Sequence, residues 1–97
     1  MKRMILMEMV PDTYTNTAGA ALAIQLRKDL KQGYAVEISF LGASPLSSSF
    51  FNSSFGTLIE DFGYDEIKSK LKIVDVNSSH ANLLRRYFDA YNENHHC

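Results

Sequence analysis

The sequence predicts one small α/β domain on a mostly parallel sheet. Two observations predict it. Three strand-like apolar alternations alternate with three helix-like stretches, and the order β-α-β-α-β-α favours parallel strands joined by right-handed crossovers. The 97 residues are also about right for one domain with one modest core, with a radius of gyration of ~12–13 Å.

Arg3 to Val10 reads as the first strand and stops at the turn pair Pro11-Asp12. Thr17 to Gln32 reads as a helix capped by Thr17, with Ala18, Ala21, Leu22, Gln25, Leu26 and Leu30 on one stripe and Gly33 as its stop. Its small residues Ala18 and Gly19 suit a close approach to the sheet. Tyr34 to Leu41 is the clearest strand, with Val36, Ile38 and Phe40 facing one way. A second helix starts within Ser47-Ser48-Ser49 and runs to about Asp61. It places Phe51, Phe55, Leu58, Ile59 and Phe62 inward and ends at Gly63. Asp65 to Lys70 reads as a short helix or turn. Leu71 to Val76 is a strand whose alternation slips between Ile73 and Val74. A last helix from His80 to Tyr91 carries Leu83, Leu84, Tyr87, Phe88 and Tyr91 on one stripe, with Asn77, Ser78 and Ser79 as caps. The domain is expected over residues 1–92, followed by a disordered tail at 93–97.

Ten basic and eleven acidic residues leave a formal charge of −1, which excludes a basic nucleic-acid module. No apolar run reaches the ~18–20 residues of a membrane span, so no membrane partner is expected. Cys97 is the only cysteine, so no internal disulfide forms and a cytoplasmic location fits best. The charge is uneven. Residues 34–62 carry Glu37, Glu60 and Asp61 but no lysine or arginine, and they enclose a serine-rich stretch.

Ser47, Ser48 and Ser49 stand where a loop becomes a helix. One hydroxyl is expected to cap the helix. A phosphate on another would meet the helix dipole on an acidic surface and act as an electrostatic switch. Elsewhere the chemistry is thin. His80 reads as a surface histidine near a cap, Asp75 as a solvated or capping carboxylate at a strand end, and Arg85-Arg86 as a wet helix face. Tyr14, Tyr64, Tyr87 and Tyr91 read as core-edge rings. His95-His96-Cys97 falls short of a four-ligand metal site. No Gly-x-Gly-x-x-Gly or Walker sequence is present.

The run from Val36 to Phe51, with Leu58 to Gly63 and Lys70 to Ile73, resembles the small bacterial STAS-like domains of unknown function over roughly residues 17–92. The resemblance implies a STAS-like fold. Distantly similar anti-sigma-factor antagonists bind a GHKL-type ATPase and serine kinase, and are switched by phosphorylation within Asp-Ser-Ser/Thr-Gly. Ser47 falls on that Asp, Ser48 on the first Ser, Ser49 on the phosphorylated Ser and Phe50 on the Gly. Ser47 lacks the carboxylate, and Phe50 replaces the small residue.

The expected function is therefore a non-enzymatic, regulatory protein-interaction domain without cofactor or metal. Its contact surface would be the loop from Gly42 to Ser49, with Gly42, Ser44, Pro45 and Phe50 around the serines. Two other classes compete. One is a small-ligand or nucleotide-binding regulator using amides at the 47–49 helix start. The other is a self-assembling module, a homodimer included, that pairs along an exposed edge strand from Arg3 to Val10.

Overall fold

The computed structural model describes residues 2–95, with side chains described through residue 92. The tail expected at 93–97, with His95, His96 and Cys97, lies outside the described side chains.

Strand β1 (Lys2–Ile5) runs into a single helical turn, α1 (Leu6–Met9), and then helix α2 (Asn16–Lys31) leads to β2 (Val36–Ser39). The next helix begins as α3 (Ser48–Phe51), widens into a π-helical turn over Asn52–Gly56 and finishes as α4 (Thr57–Phe62). Helix α5 (Tyr64–Lys70), strand β3 (Leu71–Val74) and helix α6 (Ser78–His95) complete the chain. The strands lie in the order β1-β2-β3, all parallel. The parallel α/β architecture is as the sequence predicts, and the radius of gyration is 12.2 Å.

The first strand is half the expected length, because a helical turn that buries Leu6 follows it at once and the buried Val10 ends that turn. The chain coils there instead of running on extended: the Val10 amide closes a helical turn on the carbonyl of Leu6, four residues back, at 3.1 Å. The methionines around them add little strand preference to oppose this. The edge available for pairing is correspondingly short. In β2, Val36, Ile38 and Phe40 are buried as their alternation requires. The ladder outlasts the strand by one bond, from the Phe40 amide to the Val74 carbonyl. The slip in β3 is a backbone event. Leu71 and Ile73 sit in register with Val36 and Ile38, and Asp75 then takes a left-handed φ of 58° that carries Val76 back toward the core.

Helix α2 is capped by Thr15, not Thr17: the Thr15 hydroxyl accepts from the Ala18 amide at 3.2 Å. Asp12 in turn accepts from the amides of Tyr14 and Thr15 and from the Thr15 hydroxyl. The Tyr14 amide, with the Thr15 bonds adding to it, holds the Asp12 carboxyl below its usual range. Thr15→Ala should cost ~1 kcal/mol in urea denaturation, against a few tenths for Thr17→Ala.

Gly19 of α2 faces a helix, not the sheet. Gly19 lies against the α3 segment so closely that a Cβ there would stand 2.5 Å from the Phe50 carbonyl oxygen and 2.9 Å from the Ser53 Cβ. The π-helical turn follows at once, where the Thr57 amide reaches the carbonyl of Asn52. Phe50, Phe51, Ser54, Phe55, Leu58 and Ile59 are all buried along this helix. Phe51 is the hub of the ring cluster, 4.9 Å from Phe88, 5.2 Å from Tyr87, 5.5 Å from Phe55 and 5.9 Å from Tyr91 between centroids. Helix α6 thus closes the core over the aromatic helix. The other face of the sheet is left open: Ile5 and Leu41 are 40% and 66% exposed.

Candidate functional site

The loop from Gly42 to Ser49 leaves the carboxyl end of the central strand, where parallel sheets usually carry their sites. It begins as a tight turn in which the Ala43 amide donates to the Phe40 carbonyl at 2.9 Å. Gly42 sits third in that turn at φ 74°, while Leu41 before it keeps a negative φ, the pattern of a type II turn that selects glycine.

Buried groups from distant parts of the chain then hold the loop. The Thr13 hydroxyl donates to the carbonyls of Ser44 and Pro45, at 2.5 and 3.1 Å. The Ser44 carbonyl is also 2.9 Å from His80 Nε2, and since a carbonyl can only accept, that nitrogen carries the proton. His80 is only 7% exposed and stands edge-on to Phe40 at 6.1 Å between centroids. It is therefore a buried clamp on the loop, not the surface histidine expected. Its place four residues before the buried Leu84 on the α6 stripe is the signal that would have found it. Thr13, fully buried, has no such local signal.

Leu46 plugs the loop into the core. Ser47 then does two things. Its hydroxyl accepts from the Phe50 amide at 3.1 Å as the helix cap, and donates to the Tyr14 carbonyl at 2.7 Å. The Ser47 amide donates to the Thr13 carbonyl at 3.2 Å. Ser48 and Ser49 are exposed in the first helical turn, and among the described residues their hydroxyls make no hydrogen bond. Gly42 and Pro45 are exposed and Ser44 is half-buried. Phe50 does not belong to this surface. Its ring is completely buried, because a helix begun at Ser48 turns positions 50 and 51 inward together with 54, 55 and 58.

Two of the three carboxylates that make the segment look acidic are paired with bases from other segments. Asp61 pairs with Arg27 at 2.7 Å, and Glu37 lies 3.4 Å from Arg3 and 4.0 Å from Lys72. Bases from the flanking segments thus neutralise carboxylates that look unbalanced in the linear sequence. The loop itself carries no charge.

Asp75 accepts from the Ser39 hydroxyl at 2.6 Å and lines a hollow of about 660 Å³ on the open side of the sheet. Arg3, Ile5, Glu8 and Leu41 line the same hollow. Arg85 is exposed on α6 as expected, and so is Arg86. Tyr91 reaches Asn52 with its hydroxyl at 3.0 Å, while Tyr14 is exposed. Among the described residues no three His, Cys, Asp or Glu side chains gather as a metal site, and no helix is long and apolar enough to cross a membrane.

A three-stranded parallel sheet, helices stacked on one face and a serine-capped helix launched from the central strand's loop define a small STAS-like α/β domain. The family described as STAS-like domain of unknown function (DUF4325) matches residues 18–81, and the chain belongs to it. The match takes in the serine loop, both halves of the aromatic helix and His80, but not Thr13. No curated protein and no solved structure matches the chain.

Proposed function

We propose that the chain is a non-catalytic regulatory domain that docks a protein partner through the Gly42–Ser49 loop and the start of α3. The partner class is a GHKL-type ATPase or serine kinase, with Ser48 or Ser49 as the phosphoacceptor. One observation carries the reading. Thr13, His80 and Ser47 fix the loop in advance, yet they leave the Ser48 and Ser49 hydroxyls exposed and uncommitted. A pre-tied loop loses little freedom when a partner closes on it. A phosphate at either serine would gain from the amides of the first helical turn, and no neighbouring carboxylate on the loop opposes it.

The test is binding of the purified chain to a candidate ATPase, with phosphorylation read by mass spectrometry. Ser48→Asp and Ser49→Asp should each weaken the complex about tenfold while stability stays within ~0.5 kcal/mol, since neither hydroxyl holds the fold. Phosphate on other residues, or binding indifferent to both substitutions, overturns the assignment. A melting temperature raised by nucleotide alone would favour a ligand-binding regulator instead.

A further inference from the structure

We propose that the open face of the sheet is a homodimer surface, on which a second copy of the chain lies face to face with its strands running the opposite way. All-parallel sheets are almost always covered on both faces, and here, among the described residues, helices cover only one.

The residues on the open face are ordered along the strands. Arg3, Glu37 and Lys72 form one rung in register, so two bases flank one acid at the amino end. Ile5 and Val74 flank Ser39 in the next rung, and exposed Leu41 extends this apolar band. Beyond the band stand Glu8 and Asp75, both exposed. The face therefore reads basic, apolar, acidic from one end to the other.

That order is self-complementary under one operation. A two-fold axis lying in the face and crossing the strands at the apolar band reverses strand direction in the second copy. It sets apolar band on apolar band, Arg3 opposite the second copy's Glu8 and Lys72 opposite its Asp75. Such an isologous contact closes at two copies. Pairing at the sheet edge is a poorer route, because β1 and β3 are only four residues each. Three short strands cover less than the ~800 Å² per partner of a standard interface, so the dimer is a weak one that forms and dissociates with concentration.

Sedimentation velocity across a concentration series tests this. The 11.0 kDa chain should shift toward twice that mass as concentration rises, and 0.5 M salt should weaken the shift. Leu41→Lys should weaken association about tenfold or more, with the melting curve at low concentration unchanged. Arg3→Glu and Glu8→Arg should each weaken it, and the double variant should recover most of the loss, because the reversed charges again face one another. A chain that stays monomeric throughout leaves the face to a different protein and overturns the proposal. A dimer indifferent to Leu41→Lys, or a double variant weaker than both single variants, also overturns it.

Discussion

Phe51→Ala is expected to cost about 4 kcal/mol, a loss of some 15–30 °C in melting temperature for a domain of this size. The ring is completely buried and touches four other aromatic rings, three of them on α6. Its removal takes away the transfer energy of the ring and leaves a cavity between two helices that the rest of the core holds apart. Against a total stability of ~5–15 kcal/mol for a typical domain, that is enough to populate unfolded chains. Urea denaturation should show a lower midpoint with nearly the same slope, and Phe51→Leu should recover more than half of the loss. A cost below ~1 kcal/mol would mean that α6 does not depend on this ring.

Gly19→Ala is expected to destabilise the fold by about 2 kcal/mol, and Gly19→Val by more. The sign is the informative part. In a helix free of neighbours, alanine is favoured over glycine by ~0.8–1 kcal/mol. Here the new methyl would meet a carbonyl oxygen at 2.5 Å and another Cβ at 2.9 Å. That carbonyl belongs to Phe50, whose buried ring cannot retreat without moving Phe51 beside it. A stabilising Gly19→Ala in the same denaturation experiment would show that α2 and α3 can separate freely.

Features that depend on a few consecutive residues are legible in the sequence. The alternation of Val36, Ile38 and Phe40 marks the central strand, the Ser47 cap marks the start of the aromatic helix, and Gly63 marks its end, at φ 94°. Features set by distant segments are not. Gly19 announces a close approach, which the sequence assigns to the sheet, whereas the neighbour that comes close is the helix at Phe50 and Ser53. The charge balance of residues 34–62 was settled by Arg3, Arg27 and Lys72, none of which lies in that segment. The three serines stand at the start of the helix, where the sequence puts them, while Phe50 is adjacent to them in sequence but turned inward by its helical position. The clamp that holds the loop joins Thr13, Ser44 and His80, and no spacing rule links residues so far apart.

The all-parallel sheet has a consequence for how the chain finds its structure. Every rung joins segments separated by a helix-containing crossover, such as Lys2 with Val36 and Val36 with Leu71, so no hairpin can form early and template the rest. Loop-closure entropy must be met before any strand pairing repays it. The earliest lasting contacts should then be between helices, with α2 settling against the aromatic helix at Gly19 and the strands joining afterward. Folding should be slower than in a helical bundle of equal length, and its rate should fall with Gly19→Ala more than with substitutions in β3.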